Sequence, residues 1–157
     1  MSLAIITGGS RGLGFECAKA LRAEGHDVVL VAKDSERLSQ SAAQLACEYV
    51  AVDLENIAES EKYFKEIVQR FGTPDILILA HGVMSAKMSK TLKTDSAEWR
   101  RVMAINLDAV FCALNTVAAP MAEARSGRVI VFSACLGRMS GPGNTGGLAP
   151  YRVSKAG

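Results

Sequence analysis

The sequence predicts an α/β fold, a doubly wound parallel sheet with helices on both faces. Three observations predict it. Short β-rich runs alternate along the 157 residues with segments of helical periodicity. The runs are nearly continuous in apolar residues, as in strands covered by helices on both faces rather than wetted on one. A glycine-rich stretch joins the first run to the first helical segment, and such sheets bind ligands beyond the carboxyl ends of their strands.

The strand runs are LAIIT (3 to 7), DVVLVA (27 to 32), EYVAVD (48 to 53), DILILA (75 to 80) and RVIVFS (128 to 133). The first helix is expected to hold Leu13, Cys17, Ala20 and Leu21 on one side. After the second strand, Asp34 stands where it can cap a helix containing Glu36, Arg37 and Leu38. Between the third and fourth strands, Ser60, Phe64, Ile67, Val68 and Phe71 recur at helical spacing, and Asn56 with Glu59 marks the start. Asp95 with Glu98 repeats that start signal. The loops after Thr7, Ala32, Asp53, Ala80 and Ser133 are therefore where chemistry is expected to gather.

Composition narrows the class. With 49% hydrophobic and 22% charged residues, the chain suits one globular domain, residues 1–157. A net charge of +2, with scattered lysines and arginines, gives no reason to expect nucleic acid or an anionic membrane as partner. The apolar runs are strand-sized and no signal peptide or spanning helix is read, so the expected compartment is the cytoplasm. Cys17, Cys47, Cys112 and Cys135 lack C-x-x-C spacing and read as core thiols, and no metal site is expected.

The first loop, TGGSRGLG (7 to 14), places glycines before a helix start, where bare backbone N–H groups attract phosphate. Gly8, Gly12 and Gly14 match neither G-x-G-x-x-G nor a P-loop, and taken alone they also suit a plain βα connection. At the other end, Tyr151 and Lys155 stand four apart on a helix, presenting a phenol and an ammonium on one face. A neighbouring cation favours the phenolate, and moving a tyrosine from about 10 towards 7 takes roughly 4 kcal/mol. Such a tyrosine is a general acid for carbonyl reduction and a base for the reverse. Without further context they are an ordinary half-buried tyrosine and a solvated lysine.

Together these motifs resemble the classical short-chain dehydrogenase/reductases. Thr7, Gly8, Gly12 and Gly14 match T-G-x-x-x-G-x-G, and Tyr151 and Lys155 match Y-x-x-x-K. VDL (52 to 54) is similar to the adenine-contacting stretch and INL (105 to 107) to the segment with the catalytic asparagine, here Asn106. The resemblance implies a Rossmann-like fold. It also implies a dinucleotide held by Thr7, Gly8, Ser10, Arg11, Gly12, Leu13, Gly14, Lys33, Asp53, Leu54 and Gly82, with Tyr151 and Lys155. Lys155 would hold the nicotinamide ribose, and Asn106, on the residues alone a helix cap or break, would support a proton relay. Lys33 after the second strand and Arg11 in the glycine loop favour NADP(H), with NAD(H) possible, because basic residues welcome a 2′-phosphate. Asp34 beside Lys33 works against that preference.

Three departures accompany the resemblance. The family's N-N-A-G is here Leu79, Ala80, His81 and Gly82, and His81 reads as a loop histidine pointing to solvent. The family's S-S-x-x-G becomes FSACLG, which leaves Ser133 as the carbonyl-polarising residue, with Ser140 and Thr145 as further candidates. The chain also stops soon after Y-x-x-x-K, so the fold is expected to be incomplete on its C-terminal side and the fifth strand to be an apolar edge. A truncated product is expected rather than a natural stop. The implied function is an oxidoreductase moving a hydride between NADP(H) and a small carbonyl or alcohol substrate. The alternative is a dinucleotide-binding module without turnover, which Ala134 and His81 favour. Relatives usually pair through helices that include the one near residues 106 to 124, so a homo-oligomer is expected of the full-length form.

Overall fold

A computed structural model describes residues 2–86, 90–138 and 148–157. Five parallel strands, β1 (Leu3–Thr7), β2 (Asp27–Ala32), β3 (Glu48–Ala51), β4 (Ile76–Leu79) and β5 (Arg128–Val131), form one sheet in the order β3-β2-β1-β4-β5. The chain winds outward from β1 to β3, returns, and winds the other way through β4 and β5. The topological switch therefore lies between the carboxyl ends of β1 and β4, where a crevice opens.

Alternate residues of β1, β2 and β4 serve two cores, which is why those runs are apolar throughout. On one face Ala4, Ile6, Val28, Leu30 and Ile78 pack under α1 (Gly12–Ala23) and α2 (Ser35–Leu45) through Ala18, Leu38 and Ala42. On the other, Ile5, Val29, Val31, Leu77 and Leu79 pack under α3 (Ile57–Phe71) and α4 (Ser96–Glu123) through Phe64, Ile67, Ala109, Ala113 and Val117. The start signals hold: Asp34 accepts from the Arg37 N–H, Asn56 from those of Ala58 and Glu59, and Asp95 from that of Glu98.

Several expectations are corrected. The third, fourth and fifth strands, Glu48–Ala51, Ile76–Leu79 and Arg128–Val131, are shorter than their apolar runs, although single ladder bonds continue past their ends, from the Val52 N–H to the Ala32 carbonyl, from the Ala80 N–H to the Thr7 carbonyl and from the Phe132 N–H to the Leu79 carbonyl. The inward face of α1 is Gly14, Cys17, Ala18 and Leu21, whereas Leu13 is 64% exposed and Ala20 faces solvent. Cys17 and Cys47 are half-buried and Cys112 is buried, but Cys135 is exposed on the single turn α5 (Cys135–Arg138) and is no core thiol. The helix α4 is 28 residues long and, by length and composition, apolar enough to cross a membrane. Its inner face is instead spent on the sheet.

Two π-turns interrupt α4, at Ala104–Asp108 and Leu114–Ala118. The second precedes Pro120, which has no N–H to return to the preceding turn. The first carries Asn106. The last helix, α6 (Ala149–Ala156), begins with Pro150 in its first turn and packs against α4 and α5.

Candidate active site

The glycine loop forms one wall of a cleft of about 920 Å³ at the switch point. Gly8 adopts φ +70°, and a β-carbon there would stand 2.8 Å from the Ala80 carbonyl carbon and the His81 nitrogen, so only glycine lets β1 and the β4 loop close together. Gly12 adopts φ +60° with open space before it. Arg11, at the N-cap of α1, makes no side-chain cap, which leaves the first amides of the helix available to an anion. The loop thus fits a pyrophosphate in its amides, its shape and its open volume.

Of the residues assigned to a dinucleotide, Gly8, Ser10, Arg11, Gly12, Leu13, Lys33, Asp53, Leu54 and Gly82 line this one cleft. Thr7 and Gly14 lie buried beneath it. At the outer end, Lys33 Nζ is 2.6 Å from Asp53 Oδ2, and Asp34, besides capping α2, lies 3.8 Å from Arg37. Arg37 also lines the cleft; its place one turn after Asp34 was visible in the sequence, but nothing in the spacing turned it inward.

At the inner end, the π-turn of α4 directs Asn106 into a clamp, with 3% exposure. Its Oδ1 accepts from the Val83 N–H at 2.8 Å, and its Nδ2 donates to the Val83 carbonyl at 2.9 Å and to Ser154 Oγ at 3.0 Å. One side chain thereby joins the loop after β4, α4 and α6. Ser154, which donates onward to the Tyr151 carbonyl at 2.8 Å, is a participant that no motif signals.

Lys155 donates from Nζ to the Phe132 carbonyl at 3.0 Å, and burial lowers its pKa from the ordinary lysine value. A β-carbon placed on Gly82 would be 3.1 Å from Lys155 Nζ and 3.4 Å from Asn106 Oδ1, so the three residues meet at one point. Tyr151 lies one turn before Lys155 on α6. Ser133 is exposed at the end of the β5 segment and donates to the Lys155 carbonyl at 2.6 Å. Ser140 and Thr145 lie outside the described residues.

His81 is not a solvent-facing loop residue. It is 7% exposed, its Nδ1 lies 2.6 Å from Thr7 Oγ1, and its buried Nε2 has no hydrogen-bond partner among the described residues. Burial pushes its pKa down to about 4, and the Lys155 charge pushes the same way. The ring tucks under the loop against Thr7. The Thr7 hydroxyl that takes it there could not be paired with residue 81 from the sequence.

With this geometry in place, comparison with known proteins decides the family. The model for the family described as short chain dehydrogenase matches residues 2–157. The chain belongs to the short-chain dehydrogenases. Its relatives include the 3-oxoacyl-[acyl-carrier-protein] reductase FabG of Escherichia coli, 31% identical over 99% of this chain and 62% of that one. Galactitol 2-dehydrogenase (L-tagatose-forming) of Cereibacter sphaeroides is 28% identical over 88% of this chain and 53% of its own length. Among solved structures, an F189W actinorhodin polyketide ketoreductase with NADPH superposes with a TM-score of 0.87 at 27% identity, covering 99% of this chain and 60% of that one. The short-chain dehydrogenase described here thus spans less than two thirds of these relatives, and its Rossmann-like sheet is the part they share.

Proposed function

We propose that this short-chain dehydrogenase is an oxidoreductase that interconverts a carbonyl and an alcohol with NADP(H), using Tyr151 as general acid and base. The observation that carries the reading is the meeting of Lys155, Asn106 and Gly82 at the inner end of the glycine cleft, with Tyr151 one turn away. When bound, a nicotinamide dinucleotide would supply or accept the hydride. The protein's part is to bind, orient and move a proton.

In that scheme the bare amides of α1, Ser10 and Gly12 hold the pyrophosphate, while Arg11 and Lys33 serve the phosphate at the adenine end. Lys155, half-buried beside Gly82, binds ribose hydroxyls and holds its ammonium on the helix that carries Tyr151, one turn away. Asn106 ties α6 to the loop after β4, which fixes the helix that carries Tyr151 and Lys155 beside that loop. Ser133 polarises the substrate carbonyl by exchanging the Lys155 carbonyl for it as acceptor. The names of the curated relatives describe chemistry at a ketone or a secondary hydroxyl, and a small substrate of that class is proposed here. Pairing of two copies through the outer face of α4, where Phe111 is 59% exposed, completes the proposal.

A second reading, a dinucleotide-binding module without turnover, draws on Ala134 standing where a hydroxyl is wanted and on the commitment of Ser133 to Lys155. One substitution separates the two. Tyr151→Phe should cut NADPH-dependent carbonyl reduction by about 100-fold or more while NADPH binding, followed by nicotinamide fluorescence, stays within about twofold. Binding without any turnover in the unsubstituted protein would favour the module.

A further inference from the structure

Lys33 and Asp53 close on one another at the outer mouth of the cleft, 2.6 Å apart. Lys33 follows the end of β2 and Asp53 the end of β3, so the pair bridges neighbouring strands where both chains leave the sheet. The side chains are 69% and 43% exposed, and an ion pair so well wetted contributes little to folding. Its members differ in freedom. Asp53 Oδ1 accepts from the Glu55 N–H at 3.1 Å, which fixes the carboxylate, whereas the lysine hangs on a flexible four-carbon stem. Glu55 reinforces the pull on Lys33 and Arg101 opposes it, but Arg101 is itself bonded to Glu98 at 3.1 Å. Asp53 is therefore the carboxylate that decides where the Lys33 ammonium rests.

We propose that Asp53 is a specificity-determining residue, which sets the choice between NADP(H) and NAD(H) by competing with the 2′-phosphate for Lys33. The inference rests on the dinucleotide reading of the cleft. A 2′-phosphate engages Lys33 only by drawing it off Asp53, so part of its attraction is offset by the pair it breaks. A bare 2′-hydroxyl leaves the pair closed and meets no such cost. Preference for the phosphorylated cofactor is then smaller than the charge of Lys33 alone would give. The strength of an exposed pair sets the discount at about twofold to fivefold.

The test compares four proteins, the unsubstituted chain, Asp53→Asn, Lys33→Gln and the double variant. Dissociation constants for NADPH and NADH are measured by fluorescence titration at one low ionic strength, with circular dichroism to check folding. The quantity read is the ratio of the two constants, in which any contact that both cofactors share cancels. Asp53→Asn should raise the preference for NADPH about twofold to fivefold, Lys33→Gln should lower it, and Asp53→Asn added to Lys33→Gln should leave it unmoved. An unmoved ratio in Asp53→Asn overturns the proposal. So does a rise that persists without Lys33, which would mean that Asp53 merely repels the phosphate. Failure of the unsubstituted chain to bind either cofactor overturns the dinucleotide reading itself, whereas binding with an unmoved ratio sinks the exchange alone.

Discussion

His81 is neutral at pH 7 because its ring is sealed against Thr7 under the glycine loop, within the field of Lys155. A proton on it would bring a second cation to the same corner, beside the half-buried Lys155. The folded value of about 4 lies below the ordinary 6.5, so as pH falls the unfolded chain takes up the proton first. Stability from this site is intact above about pH 6.5, falls between there and pH 4, and levels off below, with a total near 3 kcal/mol. Urea midpoints at pH 7 and pH 4.5 measure the fall. Asp53 and Glu98, whose carboxyls are held below their usual values, add their own loss at lower pH, so the informative quantity is the difference from a His81→Leu variant. That variant should be less stable at pH 7, through the lost Thr7 contact, yet lose less on acidification. Parallel loss in both proteins would show that His81 takes no part.

Helix starts were the most legible elements, because an Asn or Asp cap is a local bond and a local bond leaves a local pattern: Asn56, Asp34 and Asp95 all cap as their spacing says. The long helix α4 was only half legible. Its apolar content is plain, but the π-turn at Ala104–Asp108 answers to Val83, on a loop more than twenty residues earlier. Asn106 read alone was a cap or a break, and it is a break used as a clamp. Asn106→Ala removes three hydrogen bonds at once and leaves the N–H and carbonyl of Val83 short of partners. A cost of about 2–4 kcal/mol follows. The loss should concentrate at one end of the protein, since Asn106 is the link from α4 to Ser154 on α6. Amide exchange should accelerate across Ala149–Ala156 while β1 and β2 keep their protection. Uniform acceleration would mean that the clamp only adds global stability.

For the whole molecule, the doubly wound parallel class was legible in the alternating runs, and the family resemblance required two motifs at opposite ends of the chain, the glycine loop and the Tyr151–Lys155 pair, to meet at one site; the strand order itself was not read from the sequence. The meeting of Gly82 with Lys155 is the structural form of that requirement. The contents of the cleft were less so: Leu13, Arg37 and the Lys33–Asp53 bond depend on side-chain directions that no spacing encodes. Burial is also uneven across the sheet. In β1 the residues Ala4, Ile5 and Ile6 are fully buried, but in β5 Val129, Ile130 and Val131 are 39%, 40% and 47% exposed. Among the described residues β5 pairs only with β4, and its apolar side chains stand part-exposed on both faces. An edge of that kind recruits another strand, and a charge placed on it resists recruitment. Val131→Lys should therefore lower the self-association of this chain, read by light scattering over a concentration series, while circular dichroism stays unchanged. With nearly half of Val131 already exposed, the cost in folding should be about 1 kcal/mol, small beside the effect on association. The same lysine introduced at Phe111, on the outer face of α4, should leave edge-driven association untouched and weaken only pairing through that helix, which separates the two routes by which copies of this chain can meet.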